Sequence, residues 1–285
     1  MSMLRLKLLA PLGVAALALW SCSSQPTQQE DAQMKAEAAR AFNQMRASMP
    51  LVTDRPTIDF VACVAQAVVA QLEPPFNDIE WELAIFEAES VNAFAMPGGK
   101  IGVFSGILTV TENQDQLATV MGHEIAHVTA QHSKNRAQSS ELTNLGINVA
   151  AILLGGGYTG TTYTAQQALA AGAQFGITLP HTRGQESEAD VIGLEYMARA
   201  GFDPRESVPL WQRMDGASGR KPAEFMSTHP SSETRIENLV SQWQKTLPLY
   251  NEARANGYAP DCGVNPRYTA AEEAEPEPEP EKESN

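Results

Sequence analysis

His123-Glu124-Ile125-Ala126-His127 constrains this chain more than any other stretch. On an α-helix, residues four apart lie roughly 40° apart around the axis, so the two imidazoles reach one point from one face. Glu124 then stands beside that point rather than on it. Two neutral imidazoles aimed together form a ligand pair for a metal ion, and the neighbouring carboxylate can take a proton from a water held there. Leu117, Val120, Met121, Ile125 and Val128 give the same stretch an apolar face, which places the pattern against a core. The spacing alone is short, and a helix with two ordinary surface histidines would also produce it.

A third ligand is offered downstream by Glu186-Ser187-Glu188-Ala189-Asp190. On a helix, Glu186 and Asp190 point the same way. Glu186 can complete a tetrahedral set with His123 and His127, and Asp190 can accept the free N–H of a ligand imidazole. Glu188 is the competing ligand, but only Glu186 has an Asp four residues on. The longer three-histidine pattern fails on register, since it needs Gly at position 130 and His at position 133, where the chain has Ala130 and Ser133. His132 is out of register and is expected to make a structural hydrogen bond. Arg183 is expected to pair with a nearby carboxylate. This nitrogen and oxygen set predicts one zinc ion per chain.

The remaining chain reads as one domain with appendages. Arg5 and Lys7 precede an apolar run, Leu8 to Trp20, of signal-peptide length and too short to span a bilayer comfortably. Leu19-Trp20-Ser21-Cys22 resembles the bacterial lipobox, and Ser23-Ser24 resembles the outer-membrane address of such proteins. The expectation is a signal peptide over 1–21 and a chain anchored by acyl groups on Cys22 at the periplasmic face of the outer membrane. Cys63 and Cys262 then remain, and two cysteines in an oxidising compartment are expected to pair. A tether and helix cover 22–49 and the core domain 50–247, followed by an extension over 248–270. Glu-Pro alternation over 271–285 predicts a disordered acidic tail.

Within the domain, Ile58 to Leu72 predicts an amphipathic helix stopped by Pro74-Pro75. Trp81 to Glu87 predicts a strand, and Pro97-Gly98-Gly99 turns a hairpin between Ala93–Met96 and Lys100–Phe104. Thr111, with Gln114, is the expected cap of the metal helix. Two further helices are expected, from Glu186 to Ala200 and from Ser231 to Thr246. Gly155 to Gly176 suits either a flap over the cleft or an exposed insertion. The formal net charge of −14 argues against nucleic acid as a partner, which needs a basic face.

Four stretches in order resemble peptidase family M48: Asn92 to Gly99, the His123–His127 helix with its trailing His132-Ser133, Arg183 through Gly193, and Thr228-His229-Pro230. The likeness covers about residues 50–247 and is greatest for the periplasmic outer-membrane lipoprotein branch. It implies an α+β, gluzincin-like zincin fold, mostly helical, with a small sheet and an edge hairpin beside the metal helix. It implies a metalloendopeptidase with Glu124 as base, acting on unfolded or misassembled cell-envelope proteins, with outer-membrane assembly machinery as a candidate partner. The alternative is an envelope chaperone or assembly factor with a latched or structural zinc site. Asn92, Ala93, Phe94 and Ala95 match the family's substrate-binding edge strand, or else a plain core hairpin. His229 is the family's candidate fourth ligand; it suits equally an oxyanion stabiliser or a helix cap.

Overall fold

The structure is a computed structural model in which residues 28–134, 180–216, 224–230 and 234–268 are described. Cys22 with the signal segment, the Gly155–Gly176 stretch and the acidic tail lie outside the described residues. The described residues are mostly helical, with one small sheet. Helix α1 is Gln28–Ser48, α2 Arg55–Val69, α3 Gln114–Thr129, α4 Arg183–Arg199, α5 Ser207–Gly216, α6 Glu224–Thr228 and α7 Arg235–Ala255. Strands β1 (Glu82–Phe86), β2 (Ala93–Met96) and β3 (Lys100–Phe104) form a sheet in the order β1-β3-β2. β2 and β3 are the expected antiparallel hairpin, whereas β1 joins β3 in parallel, with Glu82 opposite Lys100.

Alternation along the strands covers both faces of the sheet. Phe86, Phe94, Met96 and Phe104 meet Phe42 and Met45 of α1 in a small aromatic core. Ile85, Ala93, Ala95, Ile101 and Val103 turn the other way, into the main core with α2 and α3. Gly102 is required here, because a Cβ would sit 2.1 Å from the Phe94 ring. β2 is therefore an edge by pairing yet buried by packing, with Phe94 at 3 % and Met96 at 0 % exposure.

Three helix boundaries differ from the sequence reading. The cap of α3 is Asn113, whose side chain accepts from the Gln116 N–H; Thr111 instead closes the preceding 3-10 turn, its hydroxyl donating to Ile107 O. α4 begins three residues early, because Thr182 and Gln185 form a capping box. α7 runs on to Ala255 through Pro248. Pro248 and Gln244 are exposed, so water can satisfy the Gln244 carbonyl that Pro248 leaves without a donor. The domain boundary expected after residue 247 thus falls inside a helix.

Beyond α7 the chain returns across the domain as a strap. Cys262 is joined to Cys63 of α2 at an S–S distance of 2.04 Å, closing 199 residues, which on the chain-entropy account stabilises by about 5 kcal/mol. Gln114 holds both the Pro260 carbonyl and the Cys262 N–H. Asn265 donates to the Leu108 carbonyl. Arg267 binds Asp54, the N-cap of α2, and Glu87. The strap thereby pins the start of α3 to the start of α2.

Candidate metal centre

Two glycines assemble the centre. α3 crosses α4 where a Cβ on Gly122 would meet Gly193 O at 2.6 Å, and one on Gly193 would meet His123 N at 2.7 Å. Only bare backbones fit at that crossing. Asp190 and Glu186 lie about one and two turns before Gly193 on α4, so the crossing carries both against the imidazoles of α3.

The expected ligands converge. His127 Nε2 lies 3.1 Å from His123 Nε2, and His229 Nδ1 lies 3.2 Å from His123 Nε2 and 3.1 Å from Glu186 Oε1. Glu186 oxygens stand 3.4 Å from His123 Nε2 and 3.5 Å from His127 Nε2. Ligands held at zinc distances of 2.0–2.1 Å would be about 3.3 Å apart on the edges of a tetrahedron. These five distances match that edge, and all four donors are buried.

Electrostatics supports a cation in the same place. Glu186 Oε2 and Glu124 Oε1 are buried with no hydrogen-bond partner among the described residues. Burial works against a charge on His123, yet the Asp190 and Glu186 carboxylates outweigh it and lift its pKa to about 9. Burial likewise pushes Glu186 upward, but His229 and then the imidazoles of α3 hold it far below the usual carboxylate range. His127, with burial dominant, is pushed well below the ordinary histidine value. The carboxylates thus demand positive charge at this point, and a metal among three nitrogens and an oxygen fits.

The surroundings orient the donors. His123 Nδ1–H donates to Asp190 Oδ1 at 2.9 Å. Arg235, 3 % exposed, donates to the same oxygen at 2.7 Å, and its guanidinium carbon lies 3.3 Å from the Trp211 ring centroid. Arg235 holds Asp190 ionised against its burial. On the other imidazole, His127 Nδ1 is 2.7 Å from His132 Nδ1, and His132 Nε2 is 3.2 Å from Glu188. With His127 Nε2 turned to the donors, Nδ1 carries the proton and donates to His132, which in turn donates to Glu188. Glu188 therefore supports a ligand from a distance, and Glu186 is the carboxylate among the donors. Arg183 is exposed at the first position of α4 and forms no ion pair among the described residues; the cation at the centre is Arg235.

Glu124 lies buried beside the donors. Burial raises its pKa, and the Ala95 backbone N–H is bonded to it. Its Oε1 lies 3.3 Å from His229 Nε2. His229 thus presents one nitrogen to the donors and the other to the base. His181 was not foreseen: its ring packs 3.8 Å from that of His127, and its N–H donates to the Thr228 carbonyl, fixing the loop that carries His229. The missed signal was simple, since the chain has five histidines and all five gather here. Arg235 had no local signal beyond lying six residues after His229.

The family model of peptidase family M48 matches residues 59–242. The mitochondrial metalloendopeptidase OMA1 of Schizosaccharomyces pombe is 37 % identical over 209 residues, covering 73 % of this chain and 57 % of its own length. The Saccharomyces cerevisiae protein of the same name is 38 % identical over 185 residues, 62 % of this chain and 50 % of its own. The beta-barrel assembly-enhancing protease of Yersinia pestis is 32 % identical over 214 residues, 72 % and 43 %. The chain spans about half the length of the curated relatives it matches. These relatives correct one expectation: the OMA1 proteins are mitochondrial by name, against an address at the periplasmic face of the outer membrane. A short apolar segment behind two basic residues speaks of targeting in general and does not name the membrane.

Proposed function

The chain belongs to peptidase family M48 and is a metallopeptidase, and from that premise we propose that it cuts internal bonds of extended, unfolded polypeptides, with His123, His127 and Glu186 holding one zinc ion and Glu124 as base. The observation that carries this is the cluster of buried donors, with neighbouring ligand atoms 3.1–3.5 Å apart, and the buried Glu124 beside it. The metal, when bound, would polarise the carbonyl to be attacked. Glu124 takes one proton from the attacking water, whose oxygen adds to the carbonyl carbon, and delivers a proton to the leaving amine nitrogen. Asp190 keeps the His123 proton on Nδ1 and its lone pair toward the donors. Cell-envelope proteins as substrates find support in the name of the Yersinia pestis relative. Digestion of an unfolded protein by wild type and Glu124→Gln tests the reading: the variant should keep its zinc and lose cleavage by about a hundredfold or more. Equal cleavage by the variant rejects Glu124 as base.

A second reading is favoured by His229 alone. With Nδ1 among the donors and Nε2 beside Glu124, His229 would fill the position a water needs and engage the base as well. Such a four-ligand centre is closed, and serves a latched protease or an assembly factor. His229→Ala should then raise peptidase activity with zinc retained. A fall of about two orders of magnitude with zinc retained marks His229 as an oxyanion stabiliser instead.

A further inference from the structure

His181 touches two imidazoles of the centre, yet its ring takes no part in the chemistry above. The ring is buried and lies 3.8 Å from that of His127. It lies 5.1 Å from the His229 ring at an interplanar angle of 21°. Such separations between nearly parallel rings are those of offset stacking. Phe225 is also nearly parallel to His229, at 4.4 Å and 22°. The His181 N–H holds the Thr228 carbonyl at 3.0 Å. Thr182, the next residue, caps α4, the helix of Glu186 and Asp190. One short segment thus meets both the start of α4 and the loop of His229.

His229 needs support from outside its own element. It follows α6, a helix of five residues, and its N–H reaches the Phe225 carbonyl at 2.8 Å. A single turn has too few internal bonds to hold a direction by itself. The direction matters, because a turned ring would take Nδ1 away from His123 and Glu186, and Nε2 away from Glu124. We infer that His181 is a positioning residue for His229: its ring, braced on that of His127, fixes the direction in which the His229 imidazole points. The inference rests on the proposed peptidase reading. It holds whether His229 latches the metal or steadies the oxyanion, since either role needs the same orientation.

The test is a double-substitution cycle on the zinc-loaded full chain, with an unfolded protein as substrate. His181→Ala should change kcat by about fivefold or more, in the same direction as His229→Ala, and KM by less than about threefold. In the His229→Ala background the same substitution should change kcat by less than about twofold, because nothing is left to position. Zinc affinity, read by competition with a chelator, should also be the same in His229→Ala with and without His181. His181→Ser removes the ring a second way, and zinc content confirms a folded centre in each variant. His181→Phe keeps a flat ring and should stay within about threefold of wild type; a change as large as that of His181→Ala rejects the ring contact as the cause. Equal changes in both backgrounds, in kcat or in zinc affinity, overturn the positioning role and leave His181 as support for His127 or for the fold. A His181→Ala protein that matches wild type overturns it as well. If none of these proteins cuts the substrate, the peptidase reading falls, and this role with it.

Discussion

The two imidazoles of α3 are held from behind in opposite ways. His123 leans on Asp190, which Arg235 and Trp211 seal inside the protein; His127 leans on His132, whose far nitrogen reaches Glu188, 59 % exposed. One support is a buried ion pair, the other an imidazole relay whose terminal carboxylate is open to solvent. A buried ion pair is costly to break because either partner left alone is a bare charge in a poor solvent. A relay whose terminal carboxylate is already largely hydrated loses far less when that carboxylate is removed. The contrast says that His123 is locked in place while His127 is adjustable.

Substitutions test that contrast. Arg235→Met leaves Asp190 and Glu186 without their buried cation, and should cost about 3–5 kcal/mol of stability, read by denaturant unfolding of metal-free protein. Asp190→Asn should lower zinc affinity by about 10–100-fold, measured by competition with a chelator. His132→Phe removes the acceptor for His127 and should weaken zinc binding by about tenfold, with His132→Gln recovering much of it through an amide oxygen. Glu188→Gln should change affinity by less than about threefold, because the carboxylate is largely hydrated. If Glu188→Gln costs as much as Asp190→Asn, the two supports are equivalent and the contrast fails.

Much of this centre was legible from spacing. Four-residue intervals on a helix fix which side chains share a face, so His123 with His127, and Glu186 with Asp190, were paired before any fold was known. The hairpin was legible from Pro97-Gly98-Gly99 and the disulfide partners from cysteine count. What spacing cannot carry is contact between distant helices. Arg235 and His181 reach the centre only because α7 and the segment before α4 fold back on it, and nothing local marks them. The cap of α3 was misplaced for a nearer reason: Thr111 and Asn113 are both good caps, and the 3-10 turn that takes the Thr111 hydroxyl decides between them. The extent of α7 was hidden by Pro248, which stops a helix in the interior but is tolerated where the freed carbonyl meets water.

The gathering of the five histidines has a consequence for spectroscopy. In most proteins of this length, imidazole resonances come from scattered surface positions, and those of an active centre must be picked out by mutation. Here each imidazole signal of the chain reports on one small volume, with no background from elsewhere. Selective isotope labelling of histidine would therefore record proton positions, metal arrival and movement of the His229 loop together, in a spectrum of five ring systems.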